Sequence, residues 1–212
     1  MALHYDGEVR IYKVSCKPFD NNAYIVVDPQ TNESVIIDTP DEPEKVMAEA
    51  KGTHVKAILI THNHQDHLVG LERIRAETRA PVWIHSADAH VLSRPPEHLH
   101  RHGEVLALGQ LQIKVLHTPG HTPGAACYVL GRHLFSGDTL FPGGPGHSST
   151  PESLQQTIKS ITGILFPLTD DTAIYPGHGA DTDLATSKTE YRVFASKPHP
   201  PDLRGDINWL TS

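Results

Sequence analysis

The sequence of 212 residues has little cysteine, no run of basic residues and no long apolar segment. Its two cysteines, Cys16 and Cys127, lie in apolar, strand-like segments. We therefore predict buried free thiols, which suit a reducing compartment, rather than a disulfide framework. No apolar run approaches the roughly 20 residues that a membrane-spanning helix needs, and the N-terminus lacks the basic and apolar regions of a signal peptide. These absences predict a cytoplasmic protein with no membrane partner.

The charge balance is acidic, while histidine is abundant. The chain has 25 Asp and Glu against 18 Lys and Arg, a formal net charge of -7. Because nucleic-acid surfaces normally carry a basic patch, we expect no nucleic-acid partner. The length fits one large domain that can bury a core without disulfides. The 16 histidines make metal binding a natural hypothesis.

The hydrophobic pattern alternates between strands and helices. Apolar, β-branched runs predict strands, and amphipathic segments predict helices, in the order strands, helices, strands, helices. That order predicts an α/β fold with two sheets packed face to face and helices on both outer faces. We assign residues 1–196 to this domain and residues 197–212 to a C-terminal surface tail, anchored by Trp209 and Leu210. A Pro-containing connector at 93–103 carries His98, His100 and His102, for which we predict a solvated loop without a metal role.

The segment THNHQDH at residues 61–67 places four metal-ligand side chains directly after a predicted strand, residues 55–60. In an extended turn, His62 and His64 point to the same side of the chain. Asp66 and His67 fall where the chain turns into the next helix, so they can reach a neighbouring position. The spacing therefore suggests two metal ions rather than one.

Three further segments place one ligand-type residue each at the end of a predicted strand. They are TPGHTPG at 118–124 with His121, SGDT at 136–139 with Asp138, and YPGHG at 175–179 with His178. The glycines in these segments permit tight turns and close approach of the backbone. Together with the first segment, they predict one metal centre built from four strand-end loops.

The ordered series of segments resembles the metallo-β-lactamase-fold hydrolases, and among them the short, single-domain branch of the glyoxalase II group (hydroxyacylglutathione hydrolases). The resemblance implies an αββα sandwich of two mixed β-sheets flanked by helices. It also implies a first metal site of His62, His64 and His121 and a second of Asp66, His67 and His178. Asp138 and a hydroxide would bridge the two. Such ligands suit two divalent ions, zinc above all, but also iron or manganese.

The same resemblance implies a binuclear hydrolase that cleaves a thioester of a small thiol, such as S-lactoylglutathione. Asp66 would orient the hydroxide as well as bind metal, and Asp38 would support the ligands. Family members often have Gly-Cys-Gly and then a basic residue where this chain has GGPGH at residues 143–147. His147 stands at the basic position, so it and Gly144 are candidates for substrate contact.

A second activity is compatible with the fold. Persulfide dioxygenases resemble this chain in fold and in most of the motifs, and they use a single Fe(II). By that resemblance, His62, His121 and Asp138 would hold the iron. The segment 143–150 does not match the Arg-containing segment of those enzymes. A zinc β-lactamase fits less well, because the commonest subclass places Cys in the region of Asp138.

Overall fold

The computed structural model describes residues 3–212, and its first sheet runs in sequence order. The first four strands pair antiparallel and the last four pair parallel, so the sheet is mixed. The seven strands are β1 (Leu3–Asp6), β2 (Arg10–Cys16), β3 (Asn21–Val27), β4 (Glu33–Ile37), β5 (His54–Leu59), β6 (Val82–His85) and β7 (His98–His100).

The second sheet is also mixed: of its six strands, the fourth and fifth in chain order pair parallel. The remaining strands are β8 (Val105–Leu108), β9 (Leu111–His117), β10 (Ala126–Leu130), β11 (His133–Gly137), β12 (Leu140–Phe141), β13 (Gly144–Pro145), β14 (Ala173–Pro176) and β15 (Thr182–Asp183). The spatial order of the second sheet is β15-β14-β11-β10-β9-β8, and a hairpin of β12 and β13 stands apart.

Four α-helices cover the outer faces: α1 (Pro43–Ala50), α2 (Leu71–Thr78), α3 (Pro151–Ser160) and α4 (Leu184–Ala195). A π-helical turn, Ile161–Leu165, extends α3. Helix α3 begins at a capped end, because the Thr150 side chain accepts a hydrogen bond from Ser153 N and Pro151 lies in the first turn.

The strands alternate between two apolar layers, which is why the molecule is a sandwich. On β3, Tyr24 and Val26 face the second sheet, whereas Ile25 and Val27 pack toward α1 and α2. Tyr128 on β10 joins the layer between the sheets. Its neighbours on β10 pack against α3 and α4. Because side chains alternate with a period of two, each central strand is buried on both faces. The predicted αββα arrangement is confirmed.

The prediction of a solvated loop at 98–102 is wrong for His100. Residues 98–100 form the edge strand β7, where Leu99 points outward and His100 points inward, with 48% and 1% exposure. His100 Nε2 lies 3.0 Å from the hydroxyl of Tyr128, which donates to Ile60 O. Because successive side chains of a strand point to opposite faces, a residue exposed to solvent is followed by one that is buried.

The end of the chain packs against the domain through Trp209. This side chain is fully buried, whereas Leu210 is 49% exposed, so the expectation that Leu210 also anchors the segment is wrong. The division of the chain at residue 196 stays a prediction. Cys16 and Cys127 are free and buried, as expected. Within residues 3–212, no helix is long and apolar enough to cross a membrane.

Candidate metal centre

Four strands end at one edge of the sandwich, and the loops that follow them converge there. The loop after β5 belongs to the first sheet, and the loops after β9, β11 and β14 belong to the second. Backbone hydrogen bonds join them: Ala126 N donates to Thr61 O at 2.8 Å, and Gly177 N donates to Gly137 O at 2.9 Å. The two sheets therefore hold the loops in a fixed relation to one another.

All seven residues predicted as metal ligands come together in three overlapping groups. Within each group, the candidate donor atoms lie within 4.8 Å of one another. One group contains the three histidines predicted for the first metal, and another contains the three residues predicted for the second. Asp138 lies between them, together with one histidine from each side. The groups are His62, His64 and His121; His62, His67 and Asp138; and Asp66, His67 and His178.

Two pairs of imidazole nitrogens face each other across the centre. His64 Nδ1 lies 3.0 Å from His121 Nε2, and His67 Nε2 lies 3.2 Å from His178 Nε2. The close approach depends on Gly177, because a Cβ on that residue would lie 2.2 Å from Asp138 Oδ1 and 2.7 Å from the ring of His67. A glycine at this position is therefore a steric requirement of the site.

The other nitrogen of four histidines is held from outside the centre. His121 Nδ1 donates to His147 O at 2.9 Å, and His178 Nδ1 donates to Phe19 O at 2.8 Å. His62 Nδ1 lies 2.9 Å from the Thr61 hydroxyl, and His67 Nδ1 lies 2.9 Å from Asp38. These partners can each accept a hydrogen bond from Nδ1–H, so Nε2 is the nitrogen that each of these rings turns toward the centre. His64 instead presents Nδ1 to the centre.

Asp38, predicted to support the ligands, is buried directly behind them. Its carboxylate accepts from Thr61 N and the Thr61 hydroxyl, both at 2.8 Å, and from His67 Nδ1 at 2.9 Å. Burial acts to lower the pKa of His67, but the adjacent Asp38 carboxylate outweighs it and raises that pKa. Asp38 thus positions one histidine directly and, through Thr61, the start of the motif.

The carboxylates at the centre favour positive charge. A hydrogen bond from His178 holds the pKa of Asp66 below its ordinary value. Burial acts to raise the pKa of Asp138, but His178 and the other histidines outweigh it and lower that pKa. Burial acts to lower the pKa of His178, yet both carboxylates raise it to about 10. The two aspartates therefore hold a proton on His178. A bound cation would neutralise the same negative charge of the two carboxylates.

Two buried atoms point to the same conclusion. His62 Nε2 and Asp138 Oδ1 have no hydrogen-bond partner within the described residues, although both are inaccessible to solvent. Buried polar atoms are normally paired, and burial here lowers the pKa of His62 well below its usual value. A neutral imidazole and a carboxylate oxygen are good ligands for divalent metals. The residues present can hold a divalent metal ion.

A cavity of about 260 Å³ opens beside the centre. Both candidates for substrate contact, Gly144 and His147, line it. The C-terminal residues 206–208 also line it, and Asp206 Oδ1 lies 2.9 Å from His147 Nδ1. On the other side of the centre, Phe19 and Val69 border a second depression, which Asp66 also lines.

Sequence reasoning missed a side chain that touches two of the predicted ligands. Asn21 is 2% exposed, and its amide donates to Asp66 Oδ2 at 2.9 Å and lies 3.5 Å from His178 Nε2. The partners are 45 and 157 residues away in sequence. Asn21 begins β3 directly after a polar segment and has no motif of its own, so no local signal could have identified it.

Several curated relatives are similar over most of this chain. The probable metallo-hydrolase YqgX of Bacillus subtilis is 31% identical and aligns with 82% of this chain and 92% of its own length. The hydroxyacylglutathione hydrolase GloC of Haemophilus influenzae is 30% identical, with coverage of 84% and 95%. A hydroxyacylglutathione hydrolase of Cereibacter sphaeroides is 34% identical over 75% of this chain, but only 62% of that enzyme is covered.

Solved structures show the same architecture. ETHE1 from Myxococcus xanthus has a TM-score of 0.76 and 30% identity over 89% of this chain and 85% of its own. TTHA1623, solved in a di-iron-bound form, has a TM-score of 0.69 and 30% identity over 84% and 96%. The protein-family model of the metallo-beta-lactamase superfamily matches residues 16–198 of this chain. With this match, the two mixed sheets and the His/Asp centre at their edge, the chain belongs to the metallo-beta-lactamase superfamily.

Proposed function

We propose that the protein is a binuclear metal-dependent hydrolase that cleaves a thioester of a small thiol. One observation carries the proposal: two three-donor groups are complete, and Asp138 lies between them. A site for a single metal would not need the group of Asp66, His67 and His178. The two metals would be zinc, iron or manganese, and the di-iron form of TTHA1623 keeps iron among the candidates.

The metal ions, once bound, would supply a hydroxide near neutral pH and polarise the substrate carbonyl. The protein's own residues fix the orientation of the metal-donor side chains. Asn21 donates to Asp66 Oδ2, the oxygen that also lies 3.3 Å from His178 Nε2, and so fixes the orientation of this carboxylate toward the centre. Asp38 keeps His67 in the tautomer that turns Nε2 inward. In the reaction, water adds its oxygen to the acyl carbon, the carbon–sulfur bond breaks, and the proton released from water leaves with the thiol.

The thioester as substrate class has two supports. Two relatives named hydroxyacylglutathione hydrolase are 30% and 34% identical to this chain. The centre also lies between two depressions of different character, one with the His147–Asp206 pair and one with Phe19 and Val69. A carbonyl at the centre would extend its acyl part to one side and its thiol part to the other.

The test combines metal analysis with turnover of S-lactoylglutathione on the same sample. We expect about two metal ions per chain and hydrolysis of the thioester. His178→Ala should lower the metal content toward one ion and abolish most of the turnover, because it removes one donor of the second group. His90→Gln is the matched control, since His90 is exposed and its ring forms a hydrogen bond with Ala87 O, away from the predicted ligands. Wild-type protein with two metals and no thioester turnover would contradict the proposed substrate.

The alternative is a persulfide dioxygenase with one Fe(II) held by His62, His121 and Asp138. It is favoured by the similarity to ETHE1 and by the proximity of Asp138 Oδ2 to His121 Nε2, 3.6 Å. Oxygen uptake by iron-loaded protein with glutathione persulfide tests it. Uptake with one iron per chain, unaffected by His178→Ala, would replace the hydrolase with this activity.

A further inference from the structure

The cavity beside the metal centre is closed on its far side by two segments from distant parts of the chain. The near side is formed by the predicted ligands His121, Asp138 and His178. The far side, which we call the distal wall, consists of the loop 141–147 and the C-terminal residues 206–208. A substrate that reaches the centre through this cavity must place one of its ends against the distal wall.

The two segments of the distal wall are fixed to each other. The side chain of Trp209 is fully buried, and its backbone N–H donates to Gly143 O at 2.7 Å. Ser148 and Gly205 exchange two backbone hydrogen bonds of 3.1 and 2.8 Å. A Cβ on Gly144 would lie 2.5 Å from Ile207 O, so the two backbones are in direct contact. The distal wall is therefore a defined surface rather than a loose end of the chain.

The charge of the distal wall is neutral or negative. His147 Nδ1 and Asp206 Oδ1 lie 2.9 Å apart; both residues line the cavity, and both side chains are largely exposed to solvent. The carboxylate of Asp206 offsets any positive charge on the imidazole, so the pair carries no net positive charge. None of the residues that line the cavity is lysine or arginine. The position at which the sequence predicts a basic contact thus offers no net positive charge.

We propose that the distal wall selects thioesters whose thiol part ends in a neutral or cationic group rather than a carboxylate. This inference rests on the proposed hydrolase function and names the substrate class of that site. A carboxylate within about 4 Å of Asp206 would be repelled by roughly 1 kcal/mol even at the dielectric constant of water, which is about a fivefold effect, and a cation would be attracted to the same extent.

The experiment compares kcat/KM for three thioesters with the same lactoyl group. S-lactoylthiocholine carries a cation, S-lactoyl-N-acetylcysteamine is neutral, and the S-lactoyl thioester of 3-mercaptopropionate carries a carboxylate. We expect the cationic substrate to exceed the anionic one by at least about fivefold at low ionic strength. The preference should shrink as salt is added, because exposed charges are screened.

The variant Asp206→Asn isolates the contribution of the distal wall. It keeps an oxygen for His147 and removes the charge, so the cation-to-anion ratio should fall about fivefold or more. The charge of the metal centre acts equally on wild type and variant, so the change in the ratio cancels it. Asp202→Asn is the matched control, since Asp202 lies on the same exposed segment and does not line the cavity.

The outcomes separate the two claims. Thioester turnover with a ratio that Asp206→Asn leaves unchanged would overturn this inference and leave the hydrolase standing. A wild-type preference for the carboxylate substrate would do the same. Absence of turnover with all three substrates and with S-lactoylglutathione would overturn the hydrolase and this inference together.

Discussion

Replacement of Asp38 by Asn tests whether a buried carboxylate behind the centre controls metal affinity. In the wild type, one carboxylate accepts three hydrogen bonds, two from Thr61 and one from His67 Nδ1, all between 2.8 and 2.9 Å. In Asp38→Asn, an NH₂ group replaces one oxygen, so either Thr61 N or His67 Nδ1 faces a donor. We expect about 1–3 kcal/mol of lost stability in the metal-free protein. Because His67 would lose its orienting charge, we also expect about 10- to 100-fold weaker metal binding.

A second buried aspartate, Asp28, serves as the control that separates the loss of stability from the loss of metal affinity. Asp28 accepts hydrogen bonds from Gln30 N, Gln110 N and the Thr31 hydroxyl, but contacts none of the predicted ligands. Urea unfolding of metal-free Asp28→Asn should show a comparable loss of stability, while chelator competition should show unchanged metal affinity. Metal affinity of Asp38→Asn within twofold of wild type would refute the proposed role of Asp38.

Three further changes have defined outcomes. Asn21→Ala should weaken binding at the group that contains Asp66 by about 10-fold or more, and titration with a competing chelator should show one site affected and the other retained. Gly177→Ala should lower metal content, since its Cβ would displace Asp138; full metal content would argue against the steric requirement. Burial lowers the pKa of His100 to about 4. The unfolded chain therefore takes up this proton first as pH falls below about 6.5, and stability is lost as pH falls from about 6.5 to 4, up to about 3 kcal/mol. In metal-free His100→Gln, the urea midpoint should fall less over that range, and an equal fall would exclude His100 as the source.

The seven residues of the centre could be predicted because each lies at the end of an apolar strand, in a short segment with its own glycines or histidines. The sandwich could be predicted because strands such as β3 are apolar on both faces. Other features depend on contacts between distant segments. Asp206 meets His147 across 59 residues, and Asn21 meets Asp66 across 45. Neither residue type nor spacing marks such pairs, since packing of the whole domain brings them together.

Edge strand β7 illustrates a different limit. Its three residues, His-Leu-His, carry too little apolar character to predict a strand, and their alternation was compatible with a solvated loop. Backbone pairing with β6 decides the conformation. Burial of His100 then follows from which side of the sheet it faces.

The division of the donors between the two sheets has a thermodynamic consequence. His62, His64, Asp66 and His67 extend from the first sheet, whereas the remaining three donors extend from the second. A cation held by both sheets can bind only while they are folded and docked. By linkage, each tenfold rise in free metal above the dissociation constant adds about 1.4 kcal/mol to the free energy of unfolding. The supply of metal in the surroundings would then set the resistance of the whole sandwich to unfolding and proteolysis, including strands that lie at the opposite edge.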